Sequence, residues 1–148
     1  MNLERLLKSK RLSRQATSPQ EIAGLFQSAI HFVRNAGLED LDPTIQFRLL
    51  YDAAIDLAMI LLRARGFRTR GWGHHETVID ALAIILGAEG RELSNYLQTC
   101  REKRNRVSYS EWIDIPRTEV EDLSKEVGRL RNLTLQWLEK FRPSLRPR

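Results

Sequence analysis

The stretch that decides the fold runs from Asp42 to Gly66 and reads DPTIQFRLLYDAAIDLAMILLRARG. Its Asp-Pro pair is typical of a helix start, and glycine is typical of the position that follows a helix end. Nearly every residue from Ile45 to Ala64 is apolar, which predicts a central helix covered by neighbours on most sides. The polar exceptions share one narrow strip of an ideal helix: Arg48, Asp52, Asp56 and Arg63.

The polar strip on this helix has two interpretations. It is either a solvent-facing edge joined by an ion pair between Arg48 and Asp52, or a cleft lined by the carboxylates of Asp52 and Asp56. The residue pattern leaves both interpretations open.

Four further helices are predicted around the central one. The first begins at the capping serine Ser18 and ends at Gly37, with apolar residues at three- and four-residue spacing between them. The others begin at His74, near Gly90 and at Thr118. No strand pattern or hairpin turn is visible in the sequence. The pattern therefore predicts an all-α fold, an antiparallel bundle of four or five helices.

Three parts of the chain differ in composition. Residues 1–17 form a basic N-terminal segment, residues 18–141 the helical bundle, and residues 142–148, reading RPSLRPR, a basic tail that we predict to be disordered. The last helix carries an apolar seam with a period near 3.5, which can close the bundle or pair with a second copy.

Charge and cysteine content narrow the classes of protein. The chain of 148 residues has a net charge of +5 and a single cysteine, so it cannot form an internal disulfide. It has neither a secretory signal pattern nor an apolar run of the roughly 20 residues that a membrane span needs. We therefore expect a cytoplasmic protein that does not enter a membrane. Its basic clusters either bind polyanions such as RNA or are solvated helix faces.

The segment that follows the central helix, GFRTRGWG at residues 66–73, combines two arginines with two aromatic residues. Arg68 and Arg70 are candidates for nucleic-acid binding, because aromatic rings among arginines suit stacking on bases. We expect Phe67 to lie in the core and leave the role of Trp72 open. His74 and His75 then open a helix, and because no other His or Cys lies nearby, neither a metal nor another cofactor is expected.

One arginine on the fourth helix stands out. Arg104 occupies a position in a heptad-like stripe of apolar residues, where its charge requires a partner. Arg101, Lys103 and Arg106 make the same part of the helix strongly cationic, and all four are candidates for contacts with nucleic-acid phosphates.

These residues resemble the HEPN family of nucleotide- and RNA-handling helical bundles. The stretch from Arg48 to Phe67, followed by a histidine pair, looks like the second and third helices of that family. The sequence CREKRNRVSY, residues 100–109, looks like the end of its fourth helix. In ribonuclease members, an arginine and a polar residue precede a histidine, and two copies cleave RNA without a metal. Arg104 and Asn105 match the start of that motif, and Tyr109 stands where the histidine should be.

The resemblance implies the catalytic candidates Arg104, Asn105 and Tyr109. From the residue pattern, Asp52, Asp56, His74 and His75 are candidates for a cleft. Tyrosine is a poor general base at neutral pH, so we predict a homodimeric module that binds RNA or a nucleotide, with catalysis weakened or lost. The resemblance also suggests, as a candidate context for such a module, one half of a toxin–antitoxin pair or a pair with a nucleotidyltransferase partner. The alternatives are an active metal-independent endoribonuclease and a helical interaction domain in which Arg104 pairs with Asp52 or Asp56.

Overall fold

The structure, a computed structural model, describes residues 2–109 and 112–148, with the side chains at positions 108 and 109 excepted. Within these ranges, six α-helices, two short strands and one 3₁₀ turn follow one another in this order: α1 (Leu3–Lys8), β1 (Leu12–Arg14), α2 (Pro19–Ala36), α3 (Pro43–Ala64), β2 (Phe67–Thr69), α4 (His74–Leu86), α5 (Ala88–Tyr109), α6 (Arg117–Phe141) and the turn Pro143–Leu145. The predicted all-α bundle is confirmed.

Helix α3 is the centre of the bundle, as its sequence predicts. The side chains of Leu57 and Leu61 are 1% and 0% exposed, and α2, α4, α5 and α6 all contact α3. The predicted caps are present: the Asp42 carboxylate accepts from the backbone N–H of Thr44 at 2.9 Å, and the Ser18 hydroxyl caps α2. Burial of the apolar faces supplies most of the driving force for this arrangement.

Helices α4 and α5 form a tight antiparallel hairpin that places the site described below. Gly87, with φ of 73°, turns the chain between them. A Cβ atom at Gly90 would lie 2.0 Å from the carbonyl oxygen of Leu82, so only glycine allows the two backbones to approach this closely. The Gln98 amide donates to the Asp80 carboxylate at 3.0 Å. The start of α4 therefore lies beside the second half of α5.

The sequence-based prediction of no strands is wrong. β1 and β2 pair antiparallel, with Leu12 opposite Thr69, and Leu12 is buried in the core with Leu3 and Leu6 of α1. Each strand has only three residues, which is too short for an alternating pattern to be visible in the sequence. Helix α1 and strand β1 of the basic N-terminal segment are therefore packed against the bundle, and part of the predicted basic loop at residues 66–73 is a strand.

The C-terminal tail also differs from the disordered segment that we predict from its composition. Leu145 is 4% exposed, and the Arg142 guanidinium donates to the carbonyl oxygen of Ala64 at 2.6 Å. Arg146 lies 3.4 Å from the Glu139 carboxylate. The buried leucine and the contacts of the two arginines hold this basic, proline-containing segment against the bundle.

The apolar seam of α6 closes the bundle within one chain. Val120, Leu123, Val127 and Leu130 are buried in the core. The described residues therefore account for most of the seam without a second copy, and the homodimer stays a prediction. No helix in the described part of the chain is long and apolar enough to cross a membrane.

The ordered tail gives a direct test of the fold. Leu145→Ala should lower the free energy of unfolding by about 2 kcal/mol, because it leaves a cavity beneath the tail. Leu38→Ala is the matched control, because Leu38 is 55% exposed and should lose less than about 0.5 kcal/mol. Urea denaturation followed by circular dichroism measures both, and equal effects would contradict the packed tail.

Candidate functional site

An open pocket of about 360 Å³ lies between the start of α4 and the second half of α5. Its lining is polar and mostly basic, and consists of Gly73, His74, His75, Glu76, Arg101, Arg104 and Asn105. The α4–α5 hairpin thus places two histidines, two arginines and the side-chain amide of Asn105 around the same pocket. The size suits a phosphate group with part of the molecule that carries it.

The first turn of α4 is fixed to its surroundings through both histidines. The Tyr51 hydroxyl of α3 and Nδ1 of His75 are hydrogen-bonded at 3.0 Å, and the two rings are tilted with centroids 5.5 Å apart. His74 Nδ1 is hydrogen-bonded to the Thr69 hydroxyl at the end of β2. Gly73 precedes the helix with φ of 76° and supplies no side-chain cap. The first N–H groups of α4 are therefore free of a side-chain acceptor from the capping residue.

Arg104 links α5 to α3 beneath this pocket. Its guanidinium lies 3.8 Å from the Asp52 carboxylate and 5.8 Å from the centroid of the Tyr51 ring, which is cation–π distance. Its buried Nε has no hydrogen-bond partner among the described residues. The contact with Asp52 is long for a charge-assisted hydrogen bond, so Arg104 keeps capacity to bind a second anion.

Arg101 is the second cation of the pocket, and a residue of its own helix orients it. Its Nε donates to the side-chain oxygen of Gln98 at 2.7 Å, one turn earlier on α5. This bond orients the guanidinium and leaves its terminal N–H groups available. Glu76 is the acidic residue in the lining, so the arginines outnumber it two to one.

His74, His75 and Tyr51 are neutral at pH 7. Burial, assisted by His74, Arg104 and Arg101, lowers the pKa of His75 to about 4. Burial and Arg63 also lower the pKa of His74. The pKa of Tyr51 is raised by burial, which outweighs the opposing effect of Arg104. The positive charge of the pocket therefore comes from the arginines. The imidazoles act as neutral hydrogen-bonding groups, and a nearby anion would raise their pKa.

The six predicted nucleic-acid-binding residues separate into three groups. Arg101 and Arg104 line the pocket, whereas Lys103 is paired with Glu119, and Arg68 with Glu21 at 2.9 Å. The two remaining basic residues, Arg70 and Arg106, are exposed. Asn105, predicted beside Arg104, lines the pocket, and the side chain of Tyr109 lies outside the described residues.

The polar strip of α3 is neither a plain solvent edge nor part of the pocket lining. Asp52 contacts Arg104 rather than Arg48, and Asp56 is partly buried, with one carboxylate oxygen that has no hydrogen-bond partner among the described residues. Burial raises the pKa of both carboxyls, and for Asp52 the two arginines oppose that rise. Asp52 acts on the site through Arg104, and Asp56 does not reach it.

The sequence analysis did not identify three residues of the site. Tyr51 is buried beneath it, Gln98 orients Arg101, and Glu76 contributes the negative charge. A buried tyrosine needs a hydrogen-bond partner for its hydroxyl, and this requirement is the one signal that could have singled out Tyr51.

Two further features help to delimit the chemistry. No group of three or more His, Cys, Asp or Glu residues in the described ranges could hold a metal ion. A separate, mainly apolar groove of about 230 Å³ lies between α2 and α6, with Phe26 and Leu57 in its lining and Arg34 and Arg131 among its polar residues. It shares no residue with the basic pocket.

Comparison with known proteins adds no further constraint. No protein-family model, curated protein or solved structure matches this chain. The site must therefore be interpreted from its own geometry.

The depressed pKa of His75 can be tested by NMR. The imidazole should titrate near pH 4 in the folded protein and near 6.5 in the urea-unfolded chain. Because the unfolded state binds more protons between these values, the free energy of unfolding should fall as the pH drops from about 6.5 to 4. His75→Gln should flatten that part of the curve. Titration of native His75 near 6.5 would contradict the described burial.

Proposed function

We propose that this protein is a HEPN-type module that binds RNA or a nucleotide through the pocket between α4 and α5. The observation that carries the proposal is the convergence of Arg101, Arg104 and Asn105 with two neutral histidines around one open volume. Arginine, amide and imidazole N–H groups are the donors that phosphate oxygens accept from. The resemblance of residues 100–109 to the fourth helix of that family points to the same residues.

The backbone of α4 supports phosphate binding at the same place. A helix N-terminus carries a partial positive charge and unpaired N–H groups, and here Gly73 leaves them without a side-chain cap. A phosphate in the pocket would meet this helix end on one side and the arginines of α5 on the other. It would also raise the pKa of His75 by offering an opposite charge.

A second candidate function is favoured by the position of His75. A metal-independent endoribonuclease needs a group that can take and return a proton, and His75 lies in the same pocket as Arg104. A neutral imidazole can accept a proton at pH 7, but a pKa of about 4 makes it a weak base. This weakness favours binding over rapid cleavage, which agrees with Tyr109 in place of the motif histidine.

The third interpretation, a helical interaction domain, draws on the ion pair between Arg104 and Asp52. At 3.8 Å, the pair is too long to satisfy the guanidinium, and it does not account for Arg101 or His75 in the same pocket. Binding of a phosphate explains all of these side chains together. We retain a homodimer, and a nucleotidyltransferase or antitoxin as a partner, as parts of the proposal that the family resemblance implies.

The proposal predicts salt-dependent RNA binding that depends on Arg104. Wild type should bind a short RNA with an affinity that falls as the salt concentration rises, because bound phosphates release counterions. Arg104→Ala should weaken binding by about 1 to 3 kcal/mol through loss of charge-assisted hydrogen bonds. Fluorescence anisotropy with a labelled oligonucleotide measures both effects.

Arg129→Ala is the matched control for this experiment. It removes the same charge from α6, where Arg129 is surrounded by Glu89, Glu92 and Glu126. It should change the affinity by less than about 0.5 kcal/mol. Equal losses in the two variants would mean that net charge, not the pocket, determines binding.

An RNA cleavage assay distinguishes the binding module from the ribonuclease alternative. Wild type incubated with RNA and a chelator should leave nearly all of the substrate intact. Rapid cleavage that His75→Gln abolishes would establish the ribonuclease alternative instead. Restoring histidine at position 109 through Tyr109→His tests whether the family motif can be completed in this chain.

A further inference from the structure

The four-residue loop between β2 and α4 presents a fully exposed tryptophan. Trp72 is 99% exposed, and the glycines on both sides of it, Gly71 and Gly73, have φ of 77° and 76°. These left-handed conformations strongly favour glycine. The two glycines therefore allow the chain to turn on both sides of Trp72. A large aromatic ring held in water contributes nothing to the core.

Both ends of this loop are anchored. The backbone N–H of Arg70 donates to the carbonyl oxygen of Arg11 at 2.9 Å, and His74 is hydrogen-bonded to Thr69 across the loop. Trp72 therefore lies on a short turn that is hydrogen-bonded at both ends. Because only Gly73 separates Trp72 from α4, the backbone at Trp72 stays close to the first turn of that helix.

Trp72 directly precedes residues that line the basic pocket. Gly73, the next residue, is part of the pocket lining, and His74 and His75 follow directly. Arg70, two residues before Trp72, is also exposed. An exposed aromatic face beside arginines and beside a phosphate-sized pocket is the combination found where proteins bind single-stranded nucleic acids.

We propose that Trp72 is the stacking platform for an unpaired base of the nucleic acid whose phosphate occupies the pocket with Arg101 and Arg104. This inference rests on the proposed function and narrows it to single-stranded RNA or a nucleotide with an accessible base. A base inside a duplex has both faces covered by its neighbours, so it cannot stack on an indole ring. A phosphate alone would leave Trp72 without a role.

Substitutions at Trp72 separate stacking from phosphate binding. The probe is a labelled, 5′-phosphorylated RNA of mixed sequence that is long enough to form a stable duplex, compared as a single strand and annealed to its complement. Trp72→Ala should weaken binding of the single strand about 5- to 150-fold, the range for loss of one base–aromatic stack. Trp72→Phe should retain most of the affinity, because phenylalanine also offers a ring. Wild type should bind the duplex more weakly than the single strand.

Intrinsic fluorescence gives a second readout that a structural role would not change. Binding should quench the tryptophan emission of wild type, and the quench should be absent in Trp72→Phe although the RNA still binds. Trp112→Ala is the matched control, because Trp112 is 57% exposed and its indole N–H donates to Asp114 at 2.8 Å. It should retain both the affinity and most of the quench.

The outcomes distinguish this inference from the proposed function. If Trp72→Ala binds like wild type while Arg104→Ala is weakened, the stacking role is overturned and the phosphate site stands. If Trp72→Ala weakens duplex and single strand equally, Trp72 does not recognise a base, and the inference is again overturned. If wild type binds neither probe at low salt, the inference and the proposed function fail together.

Discussion

The burial of α3 is the constraint on which the rest of the structure depends. A helix that is apolar on nearly every side must be covered on nearly every side, and burial of its large side chains contributes the largest share of the hydrophobic stabilisation. Helices α2, α4 and α6 are placed by this requirement, and α5 follows because it is held tightly against α4. The site therefore lies at the edge of this packed core, over the fully buried Tyr51 and the partly buried Asp52.

The polar atoms at that edge explain why the site is organised. The buried hydroxyl of Tyr51 needs a hydrogen-bond partner, and His75 supplies it from α4. The carboxylate of Asp52 needs a cation, and Arg104 supplies it from α5. Each contact fixes one wall of the pocket, and both the imidazole and the guanidinium also line it. Pre-arranged donors of this kind bind anions without a large ordering cost.

The sequence predicted the parts of the fold that local signals specify. Capping residues such as Ser18 and Asp42 fixed helix starts, and the apolar run from Ile45 to Ala64 fixed the central element. The strands and the ordered tail were missed, because three-residue strands and one buried leucine leave no periodic pattern. Their order depends on contacts with distant parts of the chain.

For the site too, the sequence indicated the features that depend on local signals and missed those that depend on contacts between distant residues. Arg104 stood out because a charge in an apolar stripe requires a partner, and the sequence narrowed that partner to Asp52 or Asp56. It could not choose between them, because the rotation of α5 against α3 is set by packing. The bond between Tyr51 and His75 joins residues 24 positions apart on different helices, and nothing in their spacing predicts it.

The central claim is that one pocket, between α4 and α5, binds a nucleotide phosphate. The most direct test is a two-dimensional NMR titration of the isotopically labelled protein with adenosine 5′-monophosphate. We predict that the shifted signals are those of the His75 imidazole, the Arg101 and Arg104 guanidinium groups and the first backbone N–H groups of α4. Shifts confined to the groove between α2 and α6, around Arg34 and Arg131, or no shifts at millimolar nucleotide, would contradict the account.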